Sequence, residues 1–231
     1  AELNKGAKIM ATFNGDNGNN NLPGGVSGDL IYGLAGSDTL TGGAGADTLY
    51  GGSGTDTLYG GSGLDVLYAG SGLDVLYAGS GGDVVYAGQG SQRDFIHTGA
   101  GNDTVYGGSG LDQIFGSSGS DLLYGGVGSG NSISYQDLGA GVDINLSTGV
   151  VSKGGLGNDT LGDSGNFNIA TGTAQADTIT GNAIDNTLYA GGGADVIYGD
   201  AGNDIIRPDG GDDLSYGGAG NDTLFGGSLE D

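Results

Sequence analysis

The feature that most limits what this chain can fold into is a nine-residue phrase that keeps returning in register. Within residues 62–86, SGLDVLYAGSGLDVLYAGSGGDVVY, the unit GSGLDVLYA occurs twice in succession, and a third copy follows with two changes. Aspartates mark the period. Asp29, Asp38, Asp47, Asp56, Asp65, Asp74 and Asp83 fall nine apart, and after an eleven-residue step the series resumes as Asp94, Asp103, Asp112 and Asp121. A second series comprises Asp159, Asn168, Asp177, Asn186, Asp195, Asp204, Asp213, Asp222 and Asp231, and Asn20 sits nine before Asp29. A period sustained over this length is the mark of a solenoid and outranks local propensity.

Composition agrees once the period is known. Glycine at 57 residues, without collagen's three-residue repeat, suits a disordered chain, but the 35% of residues that are apolar recur regularly and argue for a repeated fold. A net charge of −23, from 28 acidic residues against 5 basic ones, excludes nucleic acid as a partner, because phosphate binding needs basic patches. Without cysteine there is neither a disulfide framework nor a thiolate site. No apolar run approaches membrane-spanning length, so membrane insertion is not expected. The N-terminal AELNKGAKIMATF lacks the apolar core of a signal peptide and begins without Met, as expected if a leader has been removed or the sequence is an excerpt.

The unit Gly42-Gly43-Ala44-Gly45-Ala46-Asp47-Thr48-Leu49-Tyr50 follows the pattern GGxGxDxUx. It resembles the RTX (repeats-in-toxin) calcium-binding nonapeptide-repeat family, over roughly residues 20–125 and 159–226. The resemblance implies an all-β fold, a parallel β-roll (β-solenoid) in which two units make a coil of about 18 residues. Residues eighteen apart then stack at the inter-strand spacing of ~4.8 Å. The chain divides into an N-terminal lead-in or cap, 1–19, a first calcium roll, 20–125, an irregular strand and loop insertion, 126–158, and a second calcium roll, 159–231. In the insertion, Val142, Ile144 and Leu146 alternate with period two and predict a longer strand in a looped-out coil, read here as an elaborated turn rather than a joint between two rolls.

Each unit separates into a glycine turn and a short strand of the three residues after Asp. The middle strand position is the core column: Leu40, Leu49, Leu58, Leu67, Leu76, Val85, Ile96, Val105, Ile114 and Leu123, then Leu161, Ile179, Leu188, Ile197, Ile206 and Leu224. Around Asp213 the strand reads Leu214-Ser215-Tyr216, with serine in that column. So thin a core does not offset the ordering of nine residues per unit, many of them glycine, and the charge repels itself along both edges. Folding needs something that binds only the folded form.

Calcium fits. It takes six to eight oxygen ligands from carboxylates and carbonyls, whereas magnesium keeps its water and zinc prefers nitrogen or sulfur. The expected pairs, one coil above another, are Asp29/Asp47, Asp38/Asp56, Asp47/Asp65, Asp56/Asp74, Asp65/Asp83, Asp94/Asp112, Asp103/Asp121, Asp177/Asp195, Asp195/Asp213 and Asp204/Asp222. About ten ions would add +20 against the −23. Asn186 and Asn168 should weaken their own sites. Aspartates that only shape turns would tolerate Asn or Ser at most positions, which they do not here.

Catalysis finds little to build on. The single histidine, His97, takes a strand position elsewhere held by Tyr and reads as an outward-facing variant of the repeat. The paired carboxylates are assigned to metal, and the chain is expected not to be an enzyme. Eleven of the twelve tyrosines occupy the last strand position, pointing outward in columns such as Tyr32/Tyr50/Tyr68/Tyr86 and Tyr59/Tyr77, with Val66, Val75 and Val84 beside them. Such columns stack on themselves and also mark contact surfaces. The expected partners are calcium and further copies of the chain, meeting head to tail or through the tyrosine faces.

These features predict a secreted, extracellular, non-catalytic calcium roll with a structural or adhesive role, such as a surface-layer, matrix or filament subunit that folds on binding calcium. The alternative is the repeat region of a larger RTX exoprotein, a toxin, protease, lipase or epimerase, aiding its export and folding. Ice or carbohydrate binding on the flat faces ranks lower, because the threonine ladder Thr39, Thr48, Thr57 gives way to valine.

Overall fold

The computed structural model describes residues 10–128 and 130–227. Among them, two sheets stack the chain into a β-solenoid of about 12 turns with ~18 residues per turn, as the period predicts. Apart from three successive strands over 143–161 that share one sheet, strands alternate between the two sheets, one of thirteen strands and one of eleven among the described residues. Parallel pairing follows the eighteen-residue spacing: Ile31, Leu49, Leu67 and Val85 lie side by side in the wide sheet, and Leu40, Leu58 and Leu76 in the narrow one. Of the lead-in, residues 1–9 lie outside the described residues, and strand Thr12–Asn14 opens the wide sheet beside Leu30–Tyr32.

The eleven-residue step at 83–94 does not break the stack. Leu76 pairs with Ile96 and Val85 with Val105, each twenty residues on, while the surplus residues bulge at the turn. Strands from Leu30 to Ala100 run for five or six residues, through the first glycines of the next turn, rather than the three expected. From Thr104 onward most shorten to three. The turns themselves need glycine: Gly54 (φ 137°) and Gly63 (φ 147°) adopt a backbone region that side chains rarely reach.

The core is the predicted column, extended by Ile31 before it and fully buried through Ile206 with only marginal exposure at Leu161. Leu224 departs from it and is 45% exposed. It sits in the outermost described strand of the narrow sheet, paired on one side only, so no coil covers it. Ser215 pairs in register with Ile197, and its hydroxyl finds no hydrogen-bond partner.

Segment 126–158 does not loop out. Strand Asn131–Ser134 continues the narrow sheet. Strands Asp143–Asn145, Val150–Ser152 and Asn158–Leu161 then run as an antiparallel zigzag inside the wide sheet, between Leu122–Tyr124 and Thr178–Thr180. Val142, Ile144 and Leu146 are buried as the alternation predicts. Both sheets are therefore continuous across the insertion, because its alternating apolar residues find the same thin core as the repeats.

Candidate calcium-binding edges

The aspartates line the turns on both edges of the solenoid, and the strand that follows each one fixes its place. In every expected pair, the backbone N–H of the first Asp donates to Oδ1 of the second. The distances run from 2.6 Å for Asp29/Asp47 through 2.8 Å for Asp38/Asp56, Asp47/Asp65, Asp56/Asp74 and Asp65/Asp83. They are 3.1 Å for Asp94/Asp112, 2.9 Å for Asp103/Asp121, 2.8 Å for Asp177/Asp195, 2.9 Å for Asp195/Asp213 and 3.0 Å for Asp204/Asp222. Two further pairs, Asp74/Asp94 and Asp83/Asp103 at 2.8 Å each, bridge the irregular step, and a search at a spacing of eighteen passes over them.

In many of these carboxylates one oxygen is thus used and the other is left. Oδ2 of Asp38, Asp56, Asp65, Asp74, Asp83, Asp103, Asp112, Asp195, Asp204 and Asp213 is buried without a hydrogen-bond partner. A buried polar atom so placed is costly, and a buried charge more so. Burial is the main cause that pushes Asp65, Asp74, Asp112 and Asp195 up to about 6, and Asp94 and Asp103 up to about 7, with the neighbouring carboxylates of the column adding to it in most of them.

Oxygen donors converge on these atoms. A Cβ placed on Gly33 would lie 2.5 Å from Asp38 Oδ2 and 2.6 Å from the Gly51 carbonyl oxygen, so both oxygens face one space. Gly51 sees Asp56 Oδ2 and the Ala69 carbonyl at 2.7 and 2.6 Å, and Gly107 sees Asp112 Oδ2 and the Gly125 carbonyl at 2.8 and 2.6 Å. Among the described residues no group of three or more His, Cys, Asp or Glu gathers at one point. Any cation here takes part of its shell from backbone carbonyls, which suits a hard ion with many oxygen ligands. The donor set fits calcium.

The second series is less uniform. Both oxygens of Asp177 are used: Val142 N–H donates to Oδ1 at 2.7 Å and Thr173 N–H to Oδ2 at 2.5 Å. Asn186 exchanges hydrogen bonds with Asn182, accepting from its N–H at 2.7 Å and donating to its Oδ1 at 3.2 Å. Asn168 keeps its place relative to the following coil, one residue before Ile169 as Asn186 is before Thr187, with its Oδ1 buried and without a partner, but it is out of step with the coil before. The pairing shifts by one between Asn131 and Ser132, which puts the fully buried Phe167 opposite Asn131 and displaces Asn168. An aromatic ring prefers the apolar interior, and the bulge supplies it.

The tyrosines stack as expected and further. Tyr32, Tyr50, Tyr68, Tyr86, Tyr106 and Tyr124 form one ladder with ring centroids 4.7–5.0 Å apart. On the other face Tyr59 and Tyr77 continue into His97 and Phe115, so His97 is a half-buried rung whose pKa burial lowers. Among the described residues no helix is long and apolar enough to cross a membrane.

A search of curated proteins finds no match to this chain. The family model of the RTX calcium-binding nonapeptide repeat (4 copies) matches it in nine windows that together span residues 14–130 and 162–228, leaving out the zigzag insertion. With the repeat pattern, the stacked coils and the aspartate edges in agreement, the chain belongs to the RTX calcium-binding nonapeptide repeat family.

Proposed function

We propose that calcium is the folding switch of an extracellular structural or adhesive protein, a subunit of a surface layer, matrix or filament. The observation that carries this reading is the run of buried Oδ2 oxygens without partners, stacked coil upon coil and facing turn carbonyls. The aspartate pairs named above, with carbonyls such as those of Gly51, Ala69 and Gly125, would hold the ions, about ten in all. Bound calcium supplies positive charge and a shell of oxygen coordination. The chain's own contribution is order: each Asp N–H fixes the carboxylate of the next coil, and the core column holds the coils in register. Where calcium is submicromolar the carboxylates repel and the chain stays open, and in millimolar external calcium it closes, because a ligand that binds only the folded form stabilises it.

The partner in assembly is a second copy. Stacked aromatic columns lie along the faces, with Tyr59, Tyr77 and Tyr106 exposed. The test is circular dichroism with negative-stain microscopy of the purified chain, in millimolar calcium and in excess chelator. Filaments or sheets that form only with calcium are expected. Discrete rods that vanish with chelator would discard assembly and keep the switch, and rods unchanged by chelator would discard the switch.

A further inference from the structure

At one point on the aspartate edge the protein supplies its own cation. Asp121 and Asp159 stack as the other pairs do, with Asp121 N–H donating to Asp159 Oδ1 at 2.9 Å, although thirty-eight residues separate them. Lys153, from the zigzag, places its ammonium between them. Nζ donates to the Ser117 carbonyl at 2.6 Å, lies 3.5 Å from Asp121 Oδ2 and forms a close ion pair with Asp159 Oδ1. All three side chains are fully buried.

We propose that Lys153 is a built-in substitute for calcium. It holds this joint together without metal, so that the joint persists in calcium-free solution and seeds the coils on either side. This inference rests on the reading that calcium holds those neighbouring coils. The oxygens around Nζ, two stacked carboxylates and a turn carbonyl, are of the same kind that Asp38 and Gly51 present, but here neither carboxylate is left with a free oxygen. Tyr135 completes the arrangement by donating its hydroxyl to Asp159 Oδ2 at 2.7 Å, with its ring 5.9 Å from Nζ.

The space that faces a carboxylate oxygen in the regular turns is also filled by protein. A Cβ on Gly116, the counterpart of Gly107, would meet the Tyr135 ring instead of a carboxylate and a carbonyl. On the other edge Asn131 replaces the column aspartate and accepts from Asp112 N–H at 2.9 Å, and the fully buried Phe167 packs in front of Gly125. Both edges of the joint are therefore closed by side chains of this chain. A buried charge is tolerated only when paired, so Lys153 and its two carboxylates depend on one another.

The test is hydrogen exchange of the whole chain, in calcium and in excess chelator, with Lys153→Met and Lys153→Arg alongside. In chelator the coils over 30–88 should lose protection while strands Leu122–Tyr124, Val150–Ser152 and Asn158–Leu161 keep theirs. Lys153→Met should lose that remaining protection and Lys153→Arg retain most of it, and in calcium both variants should protect 30–88 as the parent does. Loss of protection at the joint together with the coils in the unaltered chain would overturn the proposal and leave the calcium switch standing. So would a joint in Lys153→Met as protected in chelator as the parent's. Full protection everywhere in chelator would instead overturn the switch, and with it the contrast proposed here.

Discussion

From Asp38 to Asp112 the edge carboxylates repeatedly leave Oδ2 buried and unsatisfied. From Asp121 to Asn186 the column residues Asp121, Asn131, Asp159, Asp177 and Asn186 instead find lysine, tyrosine, threonine, asparagine or backbone groups. The two regions share the strands, the stacking and the core, and differ in who satisfies the edge. Whether an edge oxygen is left unsatisfied is thus set by local chemistry, coil by coil, and not by the number of repeats.

The largest effect that separates the regions is set by protons. In metal-free solution five of the first region's buried carboxylates titrate above the ordinary 3.8: about 6 for Asp65, Asp74 and Asp112, about 7 for Asp94 and Asp103. The folded coils therefore bind more protons than the unfolded chain between pH ~4 and ~7. Their stability is fully present below that window and is lost as pH rises through it. Acidifying the chelated chain from pH 8 to below ~5 should restore β-structure, read by circular dichroism, with hydrogen exchange showing the larger gain over 30–112 and a smaller one about Asp121 and Asp177, whose carboxyls burial also raises. An equal gain across 121–186 would erase the distinction between the regions.

Next in size is the shared core. Leu67→Ala and Ile179→Ala each empty a fully buried site, one in each region, and should cost about 2–5 kcal/mol alike in calcium by urea unfolding. A consistently smaller cost in the second region would show that its core contributes less than its burial suggests. Smaller again is Asn186→Asp, which puts a carboxylate where Asn182 Oδ1 now accepts from the amide. In chelator at neutral pH it should destabilise the chain by about 1–3 kcal/mol, with added calcium recovering part of the loss. Smallest is Tyr124→Ala, which removes the last rung of the ladder beside Tyr106 and should cost about 0.5–1.5 kcal/mol for its single lost stack.

The regular part was legible because one spacing determines it: aspartates eighteen apart, with leucine two residues on, place edge and core together. What escaped was every coil of another length. Asp74/Asp94 at twenty residues, Asp112/Asn131 at nineteen and Asp121/Asp159 at thirty-eight pair in space, but no fixed period finds them. Lys153 and Tyr135 escaped because they lie outside the repeated phrase. Two signals pointed to them: Tyr135 is the one tyrosine of twelve that does not end a repeat strand, and Lys153 is one of only five basic residues in an acidic chain. Phe167 lies opposite Asn131, where the repeat has a polar edge residue, because burying a ring outweighs keeping register at a bulge.

The zigzag also carries a rule of parity. Strand Val150–Ser152 reverses the direction of the wide sheet, and a single reversed strand would deliver the chain to its next coil running backwards. A second reversal cancels the first, so Thr178–Thr180 again runs parallel to its neighbour, and the winding continues with its sense unchanged. The wide sheet consequently exceeds the narrow one by two strands, adding about 10 Å along one face at ~4.8 Å per strand. An in-plane insertion into such a solenoid can grow only by even numbers of strands, and each such pair lengthens one face without the other.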